Sequence, residues 1–453
     1  MTFERGRRVH IVGVAGAGMS GVARLLSERG CRVSGSDALA GPALDELAAI
    51  GVVVDVGADT AHGVDADVIL WSPAVADDHP ELAAARARGA TLLARADLLA
   101  ELGRLQPVVG ITGTHGKTTA TSMLVWVMSA AGRDDSRLLG APVRGLGANG
   151  HWGGPDLLLE VDESYGTFAR LVPRALGLLN VEADHLDHYG SVAALRDAFV
   201  ALVERTTGPV AVWVDDPGAG EVARRVGRGV RTVGASADSR LGEVRVDATG
   251  TRARLTHPEV GEVTLDLAVP GRHNAIDAAV VATLCLDLGI ERDAVERGLA
   301  SFRGAPRRFD PRGRWRGAVV IEDYAHLPGE VRATVQATRA AGYDRVIAVF
   351  QPHRVSRTVA LAGEFAGAFE GADEVVITDL YTAGEPNPEG VTGRVVSDVV
   401  GVGRSGVRYA ATPTDVIATL SESVAGRPAD AILLLGAGDI AARVVEGLDG
   451  LEP

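Results

Sequence analysis

The sequence predicts an α/β protein of three domains, each organised around a largely parallel sheet. Three observations lead there. A chain of 453 residues exceeds what one hydrophobic core usually organises. Short apolar runs alternate with amphipathic helical patterns from end to end, which is the rhythm of βαβ units. Two Gly-rich stretches each lie between a strand pattern and a helix pattern, the context a phosphate-binding turn requires. Composition narrows the partners. With 46% hydrophobic residues and 57 glycines the chain reads as an ordinary soluble protein. A net charge of -14 argues against a nucleic-acid surface, which draws on clustered Lys and Arg. Cys31 and Cys285 lack metal-ligand spacing and fit reduced core residues of a cytoplasmic protein. No apolar run approaches the ~18 residues of a membrane span, so no membrane is expected as a partner. The basic stretch Glu4 to Arg8 before Val9 superficially resembles a signal peptide, but the apolar run breaks at Gly13 and reads as a first strand.

The first domain is placed at residues 1–106. A strand over Arg8 to Val12 leads into a turn holding Gly13, Ala15, Gly16 and Gly18, then a helix that stops at Gly30. The next strand, Cys31 to Ser34, ends at Ser36 and Asp37, an acidic residue about 20 positions past the glycines, where this type of turn grips a ribose hydroxyl. Ala15 stands where a Gly usually lets a pyrophosphate approach the backbone. Strands are expected over Ile50 to Val56 and Asp67 to Trp71, the second followed by the loop Ser72, Pro73, Ala74 at a strand's C-terminal end.

The second domain, residues 107–305, carries the stronger phosphate signal. Val108 to Ile111 is an apolar strand, and Gly113, Thr114, His115, Gly116, Lys117, Thr118 and Thr119 follow before a helix through Met123, Leu124 and Val127. Such a loop aims backbone N–H groups and a helix N-terminus at phosphate, with Lys117 for the phosphates and the Thr118 hydroxyl for Mg²⁺. Ile111 occupies the first Gly position of the longer form of this motif. The strand Asp156 to Val161 ends in carboxylates suited to a second Mg²⁺ contact, Glu160 first and Glu163 as its competitor. The strand Ala175 to Leu179 runs into a polar cluster in which His185 is either a metal ligand or a hydrogen-bonded structural residue. Residues 240 to 268 alternate apolar and polar, an antiparallel appendage, and Asp215 to Gly218 reads as a turn. His273 and Asn274 open a helix, placed either for a base or ribose or as a simple cap.

The third domain, residues 306–453, has strands at Ala318 to Glu322, Val346 to Phe350, Glu374 to Thr378 and Ala431 to Leu435, with polar loops at their ends. Asp323, Tyr324 and His326 follow the first; His353, Arg354 and Arg357 follow the second. Two arginines three apart beside a His suit capture of a carboxylate or phosphate.

Six segments in this order, Gly-Thr-His-Gly-Lys-Thr-Thr, Glu-Val-Asp-Glu-Ser, Asn-Val-Glu-Ala-Asp-His-Leu-Asp, Pro-Gly-Arg-His-Asn, Asp-Tyr-Ala-His and Phe-Gln-Pro-His-Arg-Val-Ser-Arg-Thr, resemble the Mur ligases of bacterial peptidoglycan synthesis. The similarity runs from about Val9 to Ile440. It implies a Rossmann-like N-terminal domain for a UDP-sugar, a central P-loop ATPase domain with a mixed sheet, and a Rossmann-like C-terminal domain that closes over the site with the amino acid. The implied reaction is ATP-dependent: the lactyl carboxylate of UDP-N-acetylmuramate becomes an acyl phosphate, which the amine of L-alanine attacks. The resemblance assigns Lys117 to the transferring phosphoryl group, Thr118 and Glu160 to one Mg²⁺, and His185 to a second. It assigns Asn274, with His273 adjacent, to adenine, and Arg308 and Asp323 to the γ-phosphate and ribose. Tyr324, His326 and Arg357, with His353 and Arg354 nearby, would shape the alanine site. Gly13 to Gly18, Ser36, Asp37 and the Ser72 to Ala74 loop would hold UDP. A monomer or homodimer is expected.

Four positions depart from the family pattern: Ala15, Tyr165 where Asp is usual, and Leu327 and Gly329 in place of the second His and the Thr of a His-His-Pro-Thr-Glu run. Ala15, Leu327 and Gly329 motivate one alternative, a paralogue that binds without turnover, and the nearest rival in class is a related ligase that attaches a recycled peptide to the same sugar. The N-terminal glycines alone would also suit an NAD-dependent oxidoreductase, which leaves Lys117 and the third domain unexplained.

Overall fold

The computed structural model describes residues 2–57, 62, 63, 65–72, 75–247, 249–426 and 430–452. Pro73 and Ala74 of the expected UDP loop lie outside the described residues. The chain forms two compact units, one of residues 1–243, 253–266 and 276–303, the other of residues 244–252, 267–275 and 304–453.

The first unit begins with β1 (Arg8–Val12), α1 (Ala17–Arg29), β2 (Arg32–Asp37), α2 (Pro42–Ala49), β3 (Val53–Val56), β4 (Val68–Trp71), α3 (Pro80–Ala87), β5 (Thr91–Leu93) and α4 (Arg95–Leu105). The five strands pair in the order β3-β2-β1-β4-β5, all parallel. Strand order reverses between β1 and β4, so the loops after them, at Gly13 and Ser72, flank the crevice where open α/β sheets bind ligands. α1 stops where expected, at Gly30, whose φ of 100° only glycine adopts readily. The predicted strand from Ile50 is shorter than expected because α2 extends to Ala49.

The unit continues with β6 (Val108–Thr112), α5 (Lys117–Ala130), β7 (Ser136–Leu138), β8 (Gly150–His151), β9 (Leu157–Val161), β10 (Ala175–Leu178), α6 (Leu186–Tyr189), α7 (Val192–Arg205), β11 (Val210–Trp213), α8 (Pro217–Arg225), β12 (Arg231–Gly234) and β13 (Ser239–Leu241). Then come β14 (Arg245–Asp247), whose residues belong to the second unit, β15 (Gly250–His257), β16 (Gly261–Leu267) and α9 (Arg272–Asp287), whose residues are divided between the two units, and α10 (Arg292–Ser301) in the first. The central sheet runs β8-β7-β9-β6-β10-β11-β12-β13-β15, parallel from β7 to β13 and antiparallel at β8 and β15. Every residue of β6 and of β10 is buried, as a strand covered on both faces must be. This order sets the loops after β9, β6 and β10 side by side. The expected turn at Asp215 to Gly218 is instead the start of α8: Asp216 accepts from Ala219 N–H at 2.7 Å and Pro217 takes the first helical position.

In the second unit, β17 (Asp310–Trp315), β18 (Ala318–Asp323), α11 (Pro328–Ala340), β19 (Val346–Phe350), α12 (Val355–Leu361), β20 (Glu374–Ile377), α13 (Arg394–Gly401), β21 (Val407–Tyr409), α14 (Pro413–Gly426), β22 (Ala431–Leu435) and α15 (Ile440–Gly447) form an order β17-β18-β22-β19-β20-β21. Only β17 is antiparallel. β17 has no apolar run to announce it; Pro311 and Gly313 fit an edge strand with a register shift between them. No helix among the described residues is long and apolar enough to cross a membrane.

Candidate active site

Three adjacent strand ends build the main cluster of the first unit. After β6 the loop Gly113 to Gly116 turns into α5. Gly113 (φ 140°) and Gly116 (φ 81°) have no room for a side chain: a Cβ would stand 3.0 Å from the Asn180 backbone and 2.8 Å from the Asp277 carboxylate, respectively. Asn180, at the end of β10, clamps the loop, accepting from His115 N–H at 2.7 Å and donating from Nδ2 to His115 O at 3.2 Å. Glu182 N–H donates to the Thr114 hydroxyl at 2.9 Å. The loop is therefore held open by its neighbours, with the first-turn N–H groups of α5 facing outward as an anion cradle.

Lys117 Nζ donates to Glu163 Oε2 and Gly113 O, both at 2.8 Å, and lies 3.8 Å from Asp162. Burial opposes its charge, but Glu163 and Asp162 more than offset that and push its pKa up. One ammonium thus serves a buried carboxylate, Glu163, and a half-buried one, Asp162. Asp162 keeps its charge: burial raises its pKa, while Lys117, Arg95 and Ser164 together hold it low. Glu163, whose Oε1 has no hydrogen-bond donor, is the one displaced, its pKa pushed up to about 7 by burial with Asp162 adding to the effect. Tyr189 OH donates to Glu163 O at 2.7 Å and fixes that turn.

Thr118 Oγ1 donates to Glu160 Oε1 at 3.0 Å, and Gly140 N–H donates to Glu160 Oε2 at 2.8 Å. Asp162, Glu163 and His185 each offer one ligand atom within 4.8 Å of the others. The expected metal residues accordingly form two groups, Thr118 with Glu160 and His185 with Asp162 and Glu163. Asp162 went unassigned in the sequence, although the Glu-Val-Asp-Glu run already contained it. His185 sits at φ 52° before α6, and Tyr165, one of the departures, at φ 54°. Thr119 is buried in the first turn of α5.

The crevice between β1 and β4 is a cleft of about 550 Å³ lined by Gly13, Ala15, Gly16, Ser36, Asp37 and Ser72, among others. Asp37 does more than line it: its Oδ2 accepts the Ala15 N–H at 2.9 Å, while Gly13 and Val14 N–H donate to Ser36 O. The loop's own amides are spent on the end of β2. Ser36 Oγ also donates to the buried Glu81 at 2.7 Å. Gly18 packs against the Arg95 guanidinium.

In the second unit the loop after β18 carries Asp323, whose carboxylate accepts from Phe309 N–H at 2.7 Å and Ala325 N–H at 2.8 Å. Burial pushes its pKa up to about 6. Arg307 and Arg308 both lie over the Tyr324 ring, at 4.9 and 4.8 Å. Arg307, unassigned by the sequence, braces the loop after β22 by donating to Gly438 O at 2.8 Å. His273 is half-buried, and desolvation together with Arg308 drives its pKa down to about 4. Asn274 Nδ2 donates to Pro270 O at 2.7 Å, so its amide is committed locally at the start of α9.

Tyr324, His326, His353 and Tyr381 form a row of rings 5.4, 5.7 and 5.7 Å apart, the last pair parallel within 9°. Tyr381, which the sequence places in a loaded strand-end loop without a role, is tied to the row by its N–H to Pro352 O and its O to Arg354 N–H. Arg357 Nη1 lies 3.3 Å from His353 Nδ1, and Arg354 lies 3.8 Å from Glu385. Leu327 fills a buried position without loss of the helix start, because Glu330 Oε2 accepts both His326 and Leu327 N–H.

Burial, then His326 and the arginines 357, 354 and 307, depress the His353 pKa to about 3. A histidine held neutral in the folded chain but free to protonate at ~6.5 when unfolded favours unfolding as pH falls from ~6.5 toward 3. Wild type should therefore lose more stability between pH 7 and pH 5 than His353→Asn, by up to about 2 kcal/mol at pH 5. Thermal melts of both proteins across that range provide the check.

A Lys-Thr loop at a strand-to-helix turn with carboxylates grouped around it, and a second Gly-rich crevice in a parallel sheet, define the architecture of a nucleotide-dependent α/β protein. The chain belongs to the Mur ligase family. Three family models match it: "Mur ligase family, catalytic domain" over residues 8–106, "Mur ligase middle domain" over 111–285 and "Mur ligase, glutamate ligase domain" over 307–438. A UDP-N-acetylmuramate–L-alanine ligase of Kineococcus radiotolerans is 44% identical, covering 96% of this chain and 94% of its own. One from Thermobifida fusca is 40% identical over 97% and 96%. The structure of a UDP-N-acetylmuramate-alanine ligase from Thermotoga maritima superposes with a TM-score of 0.82 at 28% identity, covering 97% of this chain and 98% of that one. A murein peptide ligase of Psychrobacter arcticus, at TM-score 0.72 and 20% identity over 99% and 100%, shares the fold.

Proposed function

We propose that this protein joins L-alanine to the lactyl carboxylate of UDP-N-acetylmuramate at the expense of ATP, releasing ADP and phosphate, as a cytoplasmic step of peptidoglycan precursor synthesis. The observation that carries the reading is Lys117 and the Thr118–Glu160 pair at the head of α5, on neighbouring strand ends. We assign residues 1–106 to the UDP-sugar, 107–305 to ATP and 306–453 to the amino acid.

A carboxylate resists amine attack, so it is first activated. A carboxylate oxygen attacks the γ-phosphorus of ATP, ADP leaves, and an acyl phosphate results. The alanine nitrogen then attacks the acyl carbon; the tetrahedral intermediate loses a proton and expels phosphate. Lys117 shifts its hydrogen bonds from Glu163 and Gly113 to the phosphoryl oxygens, and the α5 N–H groups hold the neighbouring phosphates. The residues fit Mg²⁺: Thr118 and Glu160 offer hard oxygens, and Glu163 Oε1 is a buried acceptor without a donor, grouped with Asp162 and His185. When bound there, Mg²⁺ would neutralise phosphate charge. His273, Asn274, Arg308 and Asp323 are assigned to the nucleotide. Arg354 and Arg357 are assigned to the alanine carboxylate, with the neutral His353 and the rings of Tyr324 and His326 as walls that keep the amine free. Gly13 to Gly18, Ser36, Asp37 and Ser72 hold the UDP moiety.

Phosphate release from ATP, measured with each substrate omitted in turn, tests this. Release should require UDP-N-acetylmuramate and L-alanine together. Release driven by a tripeptide amine in place of alanine, or indifferent to any amine, would overturn the assignment.

A further inference from the structure

Arg95, the first residue of α4, is a charged group to which the functional reading gives no role. Its guanidinium fills the space a Cβ at Gly18 would take, with Nη2 2.9 Å from that point. Gly18 lies in the first turn of α1, where Met19 and Ser20 N–H already donate to Gly16 O. On its other side, Arg95 lies within electrostatic reach of Asp162 in the Lys117 cluster. Among the described residues no hydrogen bond or ion pair engages the guanidinium itself. Its neighbours behave differently: Asp97 is paired with Arg170, and Arg104 with Glu101. A half-buried guanidinium left without a carboxylate partner, between a helix N-terminus and an anionic cluster, is poised for an anion that arrives with a ligand.

We propose that Arg95 binds an acidic oxygen group of the sugar nucleotide, its pyrophosphate or its lactyl carboxylate, and so steers the carboxylate toward the phosphoryl donor. The inference rests on the functional reading above. Two anions, the substrate carboxylate and the terminal phosphate of ATP, must approach each other, and Lys117 is engaged on the phosphate side. A second cation on the sugar side lowers that repulsion. Gly18 is then required for the fit of Arg95 as well as for the helix turn. Any larger residue would push the guanidinium out of line with the first-turn N–H groups.

Binding by calorimetry and steady-state kinetics of wild type, Arg95→Gln and Arg95→Lys test the proposal. Arg95→Gln should raise the Kd and KM for UDP-N-acetylmuramate at least tenfold and leave the KM for ATP within twofold, with partial rescue by Arg95→Lys. Titration with UDP-N-acetylglucosamine, which has the pyrophosphate but no lactyl carboxylate, separates the two anions. An equal loss for both sugars places Arg95 on the pyrophosphate; a loss confined to the muramate places it on the carboxylate. Unchanged sugar binding with a changed KM for ATP would show that Arg95 acts only through Asp162 and would overturn the proposal. So would a fall in unfolding temperature with equal losses for all substrates. If wild type itself fails to bind UDP-N-acetylmuramate, the functional reading fails instead, and the two failures are distinguishable.

Discussion

Lys117→Ala should lower kcat by about 10³-fold or more, some 4 kcal/mol of transition-state stabilisation, while UDP-N-acetylmuramate binds as in wild type. The ammonium is the side-chain cation nearest the phosphate cradle, and no other side chain of the loop can replace it. Stability is a separate matter. Removing one member of a buried ion pair usually costs about 3–5 kcal/mol, because the remaining charge is stranded. Here the cost should be smaller. Glu163 already titrates near 7 and will take up a proton once Lys117 is gone, leaving Asp162 with Arg95 and Ser164. Adding Glu163→Gln to Lys117→Ala should therefore restore thermal stability but not turnover. Single-turnover phosphate release and sugar-nucleotide calorimetry decide the matter; a Lys117→Ala protein with a tenth or more of wild-type kcat would show that the phosphoryl group is held elsewhere.

Arg357→Ala should raise the KM for L-alanine about 30- to 100-fold, corresponding to about 2–3 kcal/mol for a lost charge-assisted contact, with the KM for ATP unchanged. The arginine stands on α12 directly after the His353 loop, where Arg354 has a left-handed backbone (φ 67°), and its Nη1 reaches His353 Nδ1 at 3.3 Å. Loss of Arg357 also removes the partner of His353 Nδ1 and one of the charges that depress its pKa. Burial is the first cause of that depression, so the imidazole should stay neutral and acidification to pH 6 should not rescue alanine binding. Alanine saturation curves at pH 8 and pH 6 measure both effects; an unchanged KM at both would remove Arg357 from the amino-acid site.

Much of this was legible beforehand because it is written in local patterns. The strands β6, β10, β19 and β22 are continuous apolar runs, buried on both faces, and such runs have few other fates in a soluble chain. Gly30 ends α1 for a reason confined to its own φ. The strands that escaped notice are the short or polar ones, β5, β7, β8, β17 and β21, which exist because a neighbour offers a hydrogen-bonding edge. The Asp215 to Gly218 run contained turn residues, but Pro217 and Asp216 serve equally well to start a helix, and the sequence does not choose between those uses.

By itself the sequence determined the α/β class, the Gly-rich strand-to-helix turn with Lys117 and Thr118, and the polar strand ends at Glu160, Asp323 and His353, since each depends on residues close together in the chain. Only the tertiary structure decided how Lys117 divides itself between Glu163 and Asp162, that Asp37 spends an oxygen on Ala15, that Tyr381 completes the ring row, and that Arg95 rests on Gly18. Those are contacts across distant segments, set by strand order and burial. A carboxylate's pKa and a guanidinium's free valence depend on what packing brings against them, which no local pattern encodes.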